Sequence, residues 1–365
     1  MSTDSGEQPV MIMAGGTGGH VFPALAVAEQ LKRRGIPLLW LGTRKGLEAT
    51  IIPPLGIPVI WLPVHGLRGR SIQQWLIAPW RIGWAVIKVA RTLRRERPLA
   101  VLGMGGYVSG PGGIAARLCH IPLIIHEQNA RPGLTNRILC RIANRCYTAY
   151  PQVFPDRLVT AMIGNPVRNE IAELPSPEQR WRERTGSIRI LILGGSQGAA
   201  CLNRIVPVAI GALKPMGQFL IWHQCGKSHE EPTREIYRSL NLEAQIDPFI
   251  HDMASAYSWA DIVICRAGAL TLAELAAAGL GAILIPYPYA ADDHQTLNAR
   301  WMVKRGAAFM ISESELTQQE LTQTLRDRVS DRLELLNMAQ CARKQAPIDA
   351  QAELANACIE AGEKK

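Results

Sequence analysis

The sequence predicts an α/β protein of two Rossmann-like domains in tandem, each a parallel sheet with flanking helices. Three observations predict it. Short continuous apolar runs alternate with amphipathic stretches, the pattern of strands buried on both faces. The alternation restarts after a proline-bearing polar segment, Pro175-Ser-Pro177-Glu-Gln-Arg-Trp181. Each half opens with a strand that runs into glycines and then a helix: Met11-Ile-Met-Ala-Gly15-Gly-Thr-Gly-Gly-His20 in the first, Leu191-Ile-Leu-Gly194-Gly-Ser-Gln-Gly198 in the second.

In chain order, the first half places strands at 10–14, 38–41, 59–62, 99–102, 122–125 and 159–163, with helices such as 23–34 and 134–143 between them. The second half places strands at 188–193, 219–222, 261–265, 282–285 and 307–311, and helices at 202–213, 271–278 and 295–304. The expected division is an N-terminal domain at 1–168, a linker at 169–187 and a C-terminal domain at 188–365, whose last helix is a candidate to pack back on the N-terminal domain. Ligands of such sheets bind beyond the carboxyl ends of the strands, so two such domains are expected to share a cleft.

The net charge of +9 invites anionic partners. The opening Met-Ser-Thr-Asp-Ser-Gly-Glu-Gln-Pro has no basic region before an apolar core, so no secretory signal is expected. No apolar run reaches the roughly 20 residues that a membrane-spanning helix needs. The eight cysteines form no Cys-x-x-Cys pair and are expected as small buried apolar groups in a reducing compartment.

Glycines let a backbone turn tightly and approach a ligand, and a helix N-terminus offers free N–H groups and a partial positive charge. The two glycine loops are therefore candidate phosphate sites. Neither continues into Gly-Lys-Ser/Thr, and neither has the acid spacing of a nicotinamide site. His20 ends the first loop inside the first turn of the following helix, where a neutral imidazole can act as general base.

Further motifs follow in order: Gly103-Met-Gly-Gly-Tyr107-Val-Ser-Gly-Pro111, His126-Glu-Gln-Asn129, Pro132-Gly-Leu-Thr-Asn136, Gly164-Asn-Pro-Val-Arg168 and Asp292-Asp-His-Gln295. With the two loops, this set closely resembles the MurG family of peptidoglycan N-acetylglucosaminyltransferases over nearly the whole chain. The resemblance implies a GT-B fold, a UDP-N-acetylglucosamine donor and an undecaprenyl-diphosphate-linked N-acetylmuramoyl-pentapeptide acceptor, lipid I. It implies a β-(1→4) link made with inversion, giving lipid II. It also implies a peripheral place on the cytoplasmic face of the plasma (inner) membrane, with cell-wall synthesis proteins as candidate partners. The donor-site residues it implies are Thr17, Gly18, Gly19, Asn129, Arg168, Ser196, Ile250, Ala269, Leu270, Thr271, Leu272, Ala273, Glu274 and Gln295. One departure is Gly281, where the family commonly has proline after Gly-Leu.

On this reading Ser196 and its neighbouring amides bind the donor diphosphate, and Arg168 pairs with it or with a nearby donor oxygen. Fixed donors where charge develops can stand in for a metal. No Asp-x-Asp or histidine cluster demands one, so neither metal nor cofactor is expected, and UDP-N-acetylglucosamine is a substrate. Glu274 is placed to accept the ribose hydroxyls. Apolar Ile250 can read a base only through its backbone, and Gln295 suits sugar hydroxyls. Inversion needs a base for the acceptor hydroxyl, and His20 and Glu127 both remain candidates. Tyr107, His126 and Asn136 are expected at the acceptor.

Basic residues crowd 68–97, with Arg68, Arg70, Arg81, Lys88, Arg91, Arg94, Arg95 and Arg97 against Glu96 alone. Trp75, Leu76, Ile77, Trp80 and Trp84 are interleaved, and Pro79 is expected to separate an apolar loop from the helix that follows. Tryptophan favours the headgroup region and cations favour anionic lipid, so Trp75, Leu76, Ile77, Trp80, Arg81, Trp84 and Lys88 form a candidate interfacial patch. No nucleic-acid module is present, so no nucleic-acid partner is expected. Two other functions compete: a UDP-sugar 2-epimerase, which has no use for this patch, and a membrane-associated scaffold without catalysis.

Overall fold

Continuous apolar runs become central strands because both faces of a parallel sheet are covered by helices. The computed structural model describes residues 8–63, 72–182, 184–195, 197–216, 219–329 and 331–363. They fall into two units, one of Met1–Val167 with Ile348–Lys365 and one of Arg168–Pro347.

The first unit runs β1 (Val10–Met13), α1 (Gly18–Arg33), β2 (Leu38–Gly42), α2 (Glu48–Ile51), β3 (Val59–Trp61), α3 (Ile72–Glu96), β4 (Ala100–Gly103), α4 (Ser109–Leu118), β5 (Leu123–Glu127), α5 (Leu134–Leu139), β6 (Arg145–Thr148) and β7 (Ala161–Met162). Its strands are ordered β3-β2-β1-β4-β5-β6-β7 and pair in parallel throughout. β1 lies inside the sheet between β2 and β4, and Val10, Met11, Ile12 and Met13 are all fully buried.

The second unit runs α6 (Asn169–Ala172), α7 (Pro177–Trp181), β8 (Ile188–Leu193), α8 (Ala200–Gly211), β9 (Phe219–Gln224), α9 (Glu230–Ser239), β10 (Gln245–Asp247), α10 (Met253–Trp259), β11 (Ile262–Cys265), α11 (Ala269–Ala278), β12 (Gly281–Leu284), α12 (His294–Val303), β13 (Ala308–Met310), α13 (Gln318–Val329) and α14 (Arg332–Arg343). Its order β10-β9-β8-β11-β12-β13 repeats that of the first sheet from β3 to β6. Both have the Rossmann order, with the direction of winding reversing beside the first strand of each unit. The last helix, α15 (Ala350–Glu363), packs on α1 and β4 of the first unit. Its Leu354, Ala355, Ala357 and Cys358 join that unit's core.

Several local expectations are corrected. β6 and β10 form where no strand is expected, and the strand expected at 159–163 reduces to Ala161–Met162. Residues 169–182 belong to the second unit and carry α6 and α7. Pro79 lies inside the continuous helix α3 and separates nothing. Cys140 and Cys146 are joined by a disulfide instead of standing as two free thiols. Gly281 opens β12, where an added Cβ would meet Met338 Sδ of α14 at 2.6 Å, so glycine admits the methionine.

Candidate functional site

In the first unit the winding reverses between β1 and β4, where two glycine turns meet. Gly106 has φ +83°, and an added Cβ would stand 2.3 Å from the Gly15 carbonyl oxygen. Only glycine tolerates both conditions. Gly16, at φ +100°, donates its N–H to Glu48 Oε2 at 2.9 Å. Glu48 is fully buried, and its Oε1 accepts from the backbone and hydroxyl of Thr43, both at 2.8 Å. One carboxylate thus braces the glycine loop against the turn after β2. Sequence reasoning missed Glu48, whose partner Gly16 lies 32 positions away.

Thr17 is the exposed N-cap of α1, which starts five residues ahead of the expected helix, so that Gly18 and Gly19 join His20 in its first turn. His20 is half-buried and its Nδ1 lies 3.3 Å from Gln128 Oε1. An added Cβ on Gly105 would touch that same nitrogen at 2.6 Å, so glycine makes room for the ring.

The end of β5 brings His126, Glu127, Gln128 and Asn129 to the same place. His126 is fully buried, with Nε2 2.9 Å from the Gly164 carbonyl, and burial lowers its pKa to about 4. Glu127 is also buried. Its Oε1 accepts from the Asn129 backbone at 3.0 Å and side chain at 3.3 Å, and its Oε2 accepts from Asn136 Nδ2 at 2.9 Å and Gly133 N at 3.3 Å. Burial pushes its carboxyl above the usual range, and the hydrogen bonds oppose that. Asn136 is buried on α5 and also donates to the His126 carbonyl at 3.1 Å. Glu127, Asn129 and Asn136 are therefore bound to one another and fix the 129–133 turn. Tyr107 is 55% exposed in the turn after β4.

In the second unit the reversal lies between β8 and β11. Gly195 (φ +82°) and Gly198 (φ +77°) form the loop after β8, and Ser196 lies outside the described residues. Gln224 at the end of β9 donates from Nε2 to the Gly195 carbonyl at 2.9 Å, and its Oε1 accepts from Ile250 N at 3.3 Å. The Ile250 amide, expected to read a base, is thus held by a side chain that sequence reasoning did not single out.

The run from Ala269 through Leu270, Thr271, Leu272 and Ala273 to Glu274 forms the N-terminal part of α11, behind Gly268 as its cap. Glu274 is buried, with Arg168 Nη2 3.0 Å from its Oε1 and the Tyr257 hydroxyl donating to its Oε2 at 3.0 Å. Burial raises its pKa and Arg168 opposes the rise. Gln295 on α12 accepts from Tyr287 N at 2.9 Å through Oε1. Asp292 and Asp293 both take left-handed backbone (φ +53° and +55°) in the short 3₁₀ turn Ala291–Asp293 that precedes α12. Among the described residues no three His, Cys, Asp or Glu side chains are grouped to hold a metal.

On α3, Ala85, Val89 and Leu93 face the core while Trp80, Trp84 and Ile87 are exposed. Trp80, Arg81 and Trp84 line a pocket of about 480 Å³ with Pro63. Lys88 Nζ donates to the Trp61 carbonyl at 2.9 Å and lies 5.4 Å from the Trp84 ring centroid. Trp75, Leu76 and Ile77 lie on the same helix, with side chains outside what is described, as are residues 64–71. Among the described residues no helix is long and apolar enough to cross a membrane.

Two family models match the chain, the glycosyltransferase family 28 N-terminal domain at 10–148 and its C-terminal domain at 189–354. A relative from Alkalilimnicola ehrlichii is 50% identical over 352 residues, covering 96% of this chain and 98% of that one. It is named UDP-N-acetylglucosamine–N-acetylmuramyl-(pentapeptide) pyrophosphoryl-undecaprenol N-acetylglucosamine transferase. A relative of the same name from Nitrosococcus oceani is 47% identical over 351 residues, covering 96% of this chain and 98% of that one. The crystal structure of Acinetobacter baumannii MurG matches with TM-score 0.84 and 40% identity, over 97% of this chain and 99% of that one.

Proposed function

The chain belongs to glycosyltransferase family 28, and from that premise we infer that it moves N-acetylglucosamine from UDP-N-acetylglucosamine to N-acetylmuramoyl-pentapeptide carried on undecaprenyl diphosphate. It is an inverting N-acetylglucosaminyltransferase of peptidoglycan synthesis, and its product is lipid II. The observation that carries this is the match at 50% identity through both units, over 96% of the chain.

The donor's charge is assigned to the second unit. The loop of Gly194, Gly195 and Ser196 takes the diphosphate, and charge grows there as the sugar leaves. Arg168 and Glu274 act as one pair on the donor's hydroxyls and oxygens. A carboxylate offers about four acceptor positions, so Glu274 keeps capacity for ribose beside Arg168 and Tyr257. Thr17, Gly18, Gly19 and Asn129 in the first unit complete the donor contacts, with Gln295 and the Ile250 backbone in the second.

The acceptor's 4-hydroxyl loses its proton to His20. Glu127 is the weaker candidate because both its oxygens are committed to the 129–133 turn. Tyr107, exposed in the turn after β4, meets the acceptor, while His126 and Asn136 hold the backbone around Glu127 in place. The outward face of α3 rests on an anionic membrane surface at its cytoplasmic side, where the lipid-linked acceptor lies. No metal takes part.

The test is transfer of labelled N-acetylglucosamine to a short-chain lipid I analogue, with and without chelator. The expected result is a disaccharide product formed at the same rate in both. Conversion of UDP-N-acetylglucosamine alone into its 2-epimer would point to the epimerase, and donor binding without product to the scaffold.

A further inference from the structure

Gln128 is 1% exposed and takes none of the roles proposed for donor or acceptor, yet it touches both His20 and His126. His126 Nε2 lies 2.9 Å from the Gly164 carbonyl, which can only accept, so the proton of His126 is on Nε2. Deep burial keeps this ring neutral. Its Nδ1 therefore carries a lone pair, and Gln128 Nε2 donates to it at 3.2 Å. The same amide nitrogen donates to the Met104 carbonyl at 2.9 Å, and Asn165 Nδ2 donates to the Gln128 backbone carbonyl at 3.1 Å. With the His126 carbonyl also 3.4 Å from Nε2, three acceptors lie on one side of the amide; they decide its orientation and turn Oε1 towards His20 Nδ1, 3.3 Å away. An amide oxygen cannot donate, so His20 Nδ1 must carry the hydrogen.

We propose that Gln128 is a positioning residue that sets the tautomer of His20. The order runs from the Gly164 carbonyl through His126 and Gln128 to His20, and each group leaves the next one choice of proton position. The end of the chain is Nε2 of His20 bearing a lone pair, the form a base needs in order to accept the acceptor's hydroxyl proton. A histidine holding the other tautomer would offer an N–H there and could not take that proton. This rests on reading His20 as the base, although the tautomer itself does not depend on the reaction.

The experiment uses the full chain with ¹⁵N-labelled histidine, whose ring nitrogens report protonated and bare sites separately, and His20→Gln assigns the signal. The wild type is expected to show Nδ1–H and bare Nε2 at His20. Gln128→Met removes the hydrogen bonds at similar volume and should shift His20 to the other tautomer or a mixture. It should also lower kcat roughly ten- to a hundredfold, part of the 10²–10⁴ that a general base supplies, with the donor KM within about threefold. Gln128→Glu keeps an acceptor for Nδ1–H and should restore the wild-type tautomer. His20 protonated on Nε2 in the wild type, or unmoved in Gln128→Met, overturns the proposal. Because the spectrum needs no turnover, failure of the assigned reaction and failure of the relay are read separately.

Discussion

His20 and Glu127 differ in what holds them. The glutamate is enclosed by Asn129, Gly133 and Asn136, and four hydrogen bonds end on its oxygens. The histidine is half-buried at the mouth of the loop, with its Nδ1 on Gln128. Substituting each should therefore give different results. His20→Ala should lower turnover at least about a hundredfold, with donor binding and thermal midpoint little changed. Glu127→Gln places an N–H₂ against backbone and side-chain N–H groups, and leaving such groups unsatisfied costs about 1–3 kcal/mol each. It should lower the melting temperature as well as turnover. Kinetics and melting curves of both variants check this, and normal turnover in His20→Ala would remove it as the base.

At the scale of elements, α3 divides its sides between core and surroundings. Ala85, Val89 and Leu93 repeat every four residues and fix one face, which leaves Trp80, Trp84, Ile87 and Arg91 outward. Lys88 is engaged with the Trp61 carbonyl and the Trp84 ring, so its charge is a poor probe of the surface. Arg81 and Arg91 are exposed and better probes. Each cation near an anionic surface contributes about 1 kcal/mol, so Arg81→Glu with Arg91→Glu should weaken binding to phosphatidylglycerol vesicles at least about tenfold. Sedimentation with vesicles reads this, and unchanged binding would detach α3 from the membrane. The composition of this helix was plain in the sequence, but the role of Pro79 was not. Proline suggests a break, yet here the helix continues through it. β6 was illegible for a related reason. Arg145-Cys-Tyr-Thr148 has neither an apolar run nor alternation, and it becomes a strand by pairing between β5 and β7.

Across the molecule, the doubled Rossmann pattern and the glycine turns were legible because they depend on local periodicity and backbone freedom. Glu48 and Gln128 were not, since their partners Gly16 and His20 stand 32 and 108 positions away and no local pattern announces the pairing. Each unit also encloses a neutral histidine whose burial its sequence did not reveal. In the first, burial lowers His126 to about 4. In the second, it lowers His223 to about 3, between the Tyr237 hydroxyl and Asn203 Oδ1 at 3.0 Å each. A histidine whose pKa is depressed by folding supports stability above its unfolded value near 6.5, and that support is lost as pH falls towards the folded value. Glu127 and Glu274, raised by burial, act in the opposite sense, so the histidine contribution is read as a difference. Between pH 7 and 5 each histidine should contribute a loss on the order of 2 kcal/mol. His223→Gln, which keeps polar partners for Tyr237 and Asn203, should flatten the acid loss in the second unit and leave that of the first. Hydrogen exchange resolved by peptide, corrected for intrinsic rates, separates the units. Equal acid loss in the second unit with and without His223 would show that its buried imidazole does not drive the pH dependence.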